Sequence, residues 1–183
     1  MAGAAVAGRD LRCAWRSGCA GEAVNGSDVP GPQTLYGALI ALQDDALLVP
    51  NSAVLEVLSG DRLEPASRPG VLGTLHWRGE TIPAASFEVF NGGNTPDTRQ
   101  RHGRLVVLQA LGGRLPGRAW ALWSTGYPRM LPVSQAALQP APLHPDDRAD
   151  VVLARVRLGV REVAIPDLDR IEAGLLAAST RSE

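Results

Sequence analysis

The sequence predicts a mainly β fold: about ten short strands in two sets, divided near residue 100, closed by a single C-terminal helix. Three observations predict it. Short apolar runs recur from Leu35 to Ile165, each ended by a cluster of Gly, Pro, Asn or Asp. Two stretches, Val71 to Trp77 and Val151 to Leu158, alternate with the period of two that marks a half-buried strand. Only one stretch, after Pro166, carries a helical stripe, through Leu168, Ile171, Leu175 and Leu176. Strands at this spacing imply a barrel or a sandwich.

Along the chain, residues 1–33 are rich in Ala and Gly and poor in apolar periodicity, and read as a disordered or poorly structured tail. The folded part is expected to begin at Thr34. Leu35 to Leu42 is apolar on both faces, as a central strand is, and Ala46 to Val49 is its hairpin partner across Gln43-Asp44-Asp45. Ala53 to Leu58 fits a short helix or a strand. Gly60-Asp61 and Pro65 to Gly70 read as loop. The polar stretch Asn91 to Gly103 is the expected seam between halves.

Beyond it, Arg104 to Leu111 and Arg118 to Trp123 are apolar strands. The second puts Trp120 and Trp123 on opposite faces, so one is expected in the core and the other exposed. Ser134 is expected to cap a helical turn. In Val151 to Leu158, Val152, Ala154, Val156 and Leu158 are expected to face inward, with Arg155 and Arg157 outward. Pro166, Asp167 and Asp169 suit the start of the final helix, and residues 178–183 the tail after it.

The totals narrow the function. Lys and Arg sum to 18 against 19 Asp and Glu, a net charge of -1, which offers no footprint for nucleic acid or an anionic membrane. All basic residues are Arg. That excludes catalysis by a lysine amine, such as a lysine Schiff base, and a phosphate-loop lysine. Cys13 and Cys19 match no common zinc spacing and read as free thiols. No apolar run reaches the ~18 residues of a membrane span, and no apolar segment follows the early arginines, so a cytoplasmic protein is expected. His76, His102 and His144 are far apart, and Ser86, Ser124 and Ser134 lack a nucleophile-elbow context. His144-Pro145-Asp146-Asp147 reads as a turn with solvated charges. No catalytic, cofactor or metal residues are predicted.

One corner stands out. In Val71 to Pro83, two strands meet at Arg78-Gly79-Glu80, where Gly79 supplies backbone freedom. Pro83 cannot donate to a ladder, so the return strand is expected at an edge or bulged there. Arg78 is either a binding anchor or a solvated turn residue, and Trp77 is either core or interface. Arg and Trp are the types most enriched at binding hot spots.

Gly73, Trp77-Arg78-Gly79 and Ile82-Pro83 together resemble the Gly-x-x-x-x-Arg-Gly-x-x-x-Pro core of CheW-like domains, and the resemblance extends over residues 34–177. It implies two small five-stranded barrel subdomains and an adaptor that links the cytoplasmic tips of chemoreceptors to the regulatory domain of a CheA-type histidine kinase. Leu48-Val49-Pro50-Asn51, His76-Trp77-Arg78-Gly79 and Ile165-Pro166-Asp167-Leu168-Asp169 most resemble accessory members of systems that control type IV pili and twitching motility. Gly73, Trp77, Arg78 and Gly79 are then the candidate protein-binding residues. Two departures touch those contacts: His76-Trp77 stands where the family often has Asn-Leu, and Trp123-Ser124 where it often has Val-Asp. The rival readings are an enzyme on a small barrel, which lacks a convergent polar constellation, and a nucleic-acid-binding barrel, which 4% aromatic content argues against.

Overall fold

The computed structural model describes residues 35–68 and 70–180; the tail expected over residues 1–33 lies outside them. In chain order the elements are β1 (Leu35–Ala41), β2 (Ala46–Pro50), β3 (Val54–Ser59), β4 (Glu64–Arg68), β5 (Val71–Trp77), β6 (Glu80–Ala85) and the short α1 (Phe87–Phe90). Next come β7 (Arg104–Gln109), β8 (Ala119–Ser124), β9 (Arg129–Val133), β10 (Leu138–Ala141), β11 (Val152–Leu158), β12 (Arg161–Pro166) and α2 (Leu168–Thr180). They build two six-stranded sheets, ordered β10-β11-β12-β2-β1-β9 and β3-β7-β8-β6-β5-β4. Each sheet thus has six strands where five were expected.

The fold is mainly β, as expected, but the strand sets do not divide near residue 100. β6 and β7, which flank residues 91–103, belong to the same sheet, and β1 and β2 join the C-terminal strands through a parallel pair between β2 and β12. The composition of the 91–103 loop marks a break in regular structure and carries no information on which sheet the next strand enters.

Three apolar layers result from strict alternation. On β7, Leu105 and Val107 point into the interior of the second sheet, while Val106 and Leu108 point to a layer between the sheets. On β2, Leu47 and Val49 reach that middle layer, and Ala46 and Leu48 fill the interior of the first sheet. α2 closes the middle layer with Leu168, Ile171 and Leu175, and Asp167 caps it by accepting the Arg170 N–H at 2.9 Å. The helix runs to Thr180, past the point where a tail was expected.

Strand β8 is buried at every position, so the expectation that Trp120 or Trp123 is exposed is corrected: Trp120 fills the middle layer and Trp123 the second sheet's interior. The strand lies between two apolar layers and has no solvent face.

Several local expectations change for similar reasons. Ala53 to Leu58 resolves as a short 3-10 turn followed by β3. The stretch after Leu63, read as loop, is the edge strand β4, where Pro65 pairs with Gly73. At Gly73 a Cβ would collide with the Glu64 carbonyl oxygen, so only glycine permits this approach. β6 is not an edge, because it runs between β5 and β8. Pro83 is tolerated because pairing with the parallel β8 begins only at Ala84. Ser134 makes no capping bond to the 3-10 turn that comes after it.

The largest correction concerns β11. A bulge between Val152 and Ala154 reverses the face of the later residues, so Val152 packs in the middle layer and Val156 inside the first sheet. Arg155, expected outside, is buried. Its Nε and Nη2 donate to both Asp147 oxygens at 2.6 and 2.8 Å, and Nη1 and Nη2 donate to Asp45 at 3.2 and 2.7 Å. Asp147, expected solvated, is equally buried; it accepts from Asn91 Nδ2 at 3.0 Å and from the His144 N–H at 2.8 Å. The network ties the loop after α1 to the first sheet.

The Arg155 hydrogen bonds hold the Asp147 carboxyl well below the usual carboxylate range, against the opposing effect of burial. A depressed carboxyl contributes stability that is complete above its unfolded value of about 3.9 and is lost as pH falls below it. Arg155→Met strands two carboxylates and should cost about 3 kcal/mol in urea denaturation at neutral pH. Asp147→Asn should flatten the loss of stability below about pH 4. Gly73→Ala should lower the melting temperature by several degrees, a cost of about 2 kcal/mol or more for forcing β4 away from β5.

Candidate protein-binding corner

The predicted corner is a two-residue hairpin. Trp77 pairs with Glu80, and the chain reverses through Arg78 at φ 49° and Gly79 at φ 86°. Two successive left-handed residues define the type I′ turn that matches strand twist, whose favoured pair is Asn-Gly. Gly79 answers the backbone requirement alone, since a Cβ there would meet nothing within 4 Å. Arg78 does not answer it. A left-handed side-chain-bearing residue costs on the order of 1–2 kcal/mol, and arginine has no short polar group to offset it locally.

What the Arg78 side chain does instead is visible. Its guanidinium lies over the Trp77 ring, 4.5 Å from the centroid, and its Nη2 is 4.0 Å from Glu56 Oε2. Together these exposed contacts supply about 1 kcal/mol, which roughly offsets the strain. The side chain remains 67% exposed. The result is a cation held in place with its hydrogen-bonding edge in solvent.

Trp77 is buried, and its Nε1–H donates to Glu56 Oε2 at 2.8 Å. Its ring belongs to the second sheet's interior and shows only a rim at the surface. Glu56, on β3, is the residue that sequence reasoning missed. It bridges β3 to β5 across the sheet's curl, a contact between residues 21 apart that no local pattern announces. Gly73 lies inside the hairpin and shapes it without displaying a side chain. The four candidates therefore divide: Gly73 and Gly79 set the backbone, Trp77 supplies the floor, and Arg78 alone presents a polar head.

The first sheet carries a second surface. An apolar cleft of about 500 Å³ opens at its end between Leu35, Tyr36, Leu48, Val133, Leu138 and Ile165. Leu35 and Tyr36 are more than half exposed there. The histidines do not converge: His76 meets Thr81 Oγ1 at 3.2 Å, and His144 meets Glu162 at 3.4 Å. Among the described residues no group of three or more His, Cys, Asp or Glu is placed to hold a metal ion, and no helix is long and apolar enough to cross a membrane.

The structure is similar to that of the scaffolding protein TtCheW from Thermoanaerobacter tengcongensis, with a TM-score of 0.63 over 78% of this chain and 90% of that one, at 14% sequence identity. No curated protein matches the sequence. The family model described as CheW-like domain matches residues 37–173. That span holds both sheets, the Arg-Gly hairpin and the opening turns of α2, and the chain belongs to the CheW-like domain family, the scaffold adaptors of chemotaxis signalling.

Proposed function

We propose that this chain is a non-catalytic adaptor that couples chemoreceptors to a CheA-type histidine kinase. We assign it to a pilus-linked system that controls twitching motility, as an accessory adaptor of the ChpC kind. The observation that carries the reading is Arg78. The turn would be more comfortable with Asn, yet the chain places there a long cation, stacks it on Trp77 and leaves its head in solvent. A residue kept against backbone preference on a rigid hairpin is suited to recognition.

In this reading the kinase's regulatory domain meets the Arg78 corner, with Arg78 fixing register through charge-assisted hydrogen bonds. The apolar cleft of the first sheet gives the receptor's cytoplasmic tip a separate surface, as a protein that bridges two partners requires. Recruitment to receptor arrays would then depend on these contacts, with no membrane insertion and no nucleic acid.

Arg78→Asn and Arg78→Glu separate recognition from folding. Arg78→Asn should leave the melting temperature within about 3 °C of wild type, because the relieved strain and the lost stacking nearly cancel; Arg78→Glu keeps the strain and loses the stacking, and should lower it by no more than several degrees. Both should weaken calorimetric binding to the regulatory domain of the CheA-type kinase from the same genome by at least ~1 kcal/mol, with Glu the worse. A large fall in melting temperature with unchanged affinity would make Arg78 a structural residue and remove the anchor.

A further inference from the structure

We infer that Arg118 is a second recognition arginine, which extends the Arg78 corner into a two-cation surface for an acidic protein segment; the inference rests on the adaptor reading above. Among the described non-glycine residues, only Arg78 and Arg118 have positive φ, at 49° and 51°. Each adjoins a left-handed glycine, Gly79 at φ 86° and Gly117 at φ 62°. Both arginines are exposed.

The two turns also touch. A side chain placed at Gly117 would meet Glu80 Cβ at 3.2 Å and Ile82 Cγ2 at 3.1 Å. Glu80 is the first residue after the Arg78-Gly79 turn, so the two arginines rise from neighbouring loops at one end of the second sheet.

Fold requirements do not explain arginine at 118. Its backbone is fully used: the N–H donates to Leu115 O at 3.1 Å and the carbonyl accepts from Ala110 N–H at 2.8 Å. Those bonds are available to any residue that tolerates the left-handed conformation, and Asn or Gly tolerates it better. The guanidinium lies along the Gly113 turn, 3.4 Å from where a Cβ would stand there, and has no ion-pair partner among the described residues. A strained backbone position occupied by an unpaired, exposed cation, beside a second such position, is accounted for by what the cation binds.

The charges set the chemistry of the partner. Among the described residues Arg78 has only the distant Glu56 as an ion-pair partner, and Arg118 has none. A segment bearing two carboxylates can pair with both heads. Arg118 lies outside the Arg-Gly motif, so it makes a determinant of partner choice particular to this loop.

The test is titration of the full-length chain with the regulatory domain of the CheA-type kinase from the same genome, at 50 and 500 mM NaCl. Wild type, Arg118→Asn and Arg78→Asn are compared. Arg118→Asn should raise Kd at least fivefold at low salt, the difference should shrink at high salt, and the melting temperature should stay within 3 °C of wild type. Wild-type affinity for Arg118→Asn at both salts, with Arg78→Asn impaired, overturns the role of Arg118 and leaves the adaptor reading standing. A salt-independent loss of affinity overturns the ion-pairing chemistry. Absence of binding by wild type overturns both.

Discussion

Everything in this fold depends on the apolar layer between its two sheets and on β8, a strand buried at every position that packs its two tryptophans into different layers. β8 sends Trp120 and Leu122 to the middle layer and Ala119, Ala121 and Trp123 into the second sheet's interior. Each buried tryptophan contributes on the order of 5 kcal/mol from the area it withdraws from water. Among the described residues neither indole N–H has a hydrogen-bond partner, at a cost of about 1–3 kcal/mol each, so burial wins in both places. Space for Trp123 is made by Gly60 and Gly103, where any Cβ would strike its six-membered ring. The second sheet is therefore organised around an indole that fixes the approach of two loops.

That rigidity gives the Arg78 corner its meaning. Glu56 on β3 bonds to the Trp77 indole, and the Arg78 head is stacked on the same ring. The hairpin is thus anchored below the turn and free above it. An adaptor has no chemistry to perform; its requirement is a fixed surface with little conformational entropy to lose on binding. The same logic applies to the first sheet, where Arg155 grips Asp45 and Asp147 and, through Asn91, the loop after α1. Buried ion pairs of this kind are a poor source of net stability but a stringent one of geometry, because no other arrangement satisfies both carboxylates.

How much of this was legible in the sequence varies with the range of the interaction. The β5–β6 hairpin could be read directly, because alternation and an Arg-Gly turn are local signals. The final helix was equally clear from its apolar stripe and from Pro166, Asp167 and Asp169 at its start, although the cap that Asp167 makes is seen only in the structure. The division of strands into sheets was not, because the parallel pair of β2 with β12 joins segments more than a hundred residues apart. β11 misled for a different reason: a one-residue bulge reverses side-chain direction, and nothing in Val152-Leu153-Ala154-Arg155 announces it. At the corner, Gly73, Trp77, Arg78 and Gly79 were marked by a family pattern. Glu56 and Arg118 were not, since one acts across the curl of a sheet and the other through a backbone angle that arginine seldom adopts.

Hydrogen–deuterium exchange on the full-length chain, alone and mixed at saturating concentration with the regulatory domain of the CheA-type kinase from the same genome, tests the proposed two-turn docking surface most directly. If the kinase docks there, it slows exchange at Trp77 to Thr81 and at Gly117 to Ala119, two short segments contributed by adjoining turns. Protection confined to the first sheet, with those segments exchanging as in the free protein, would contradict that docking.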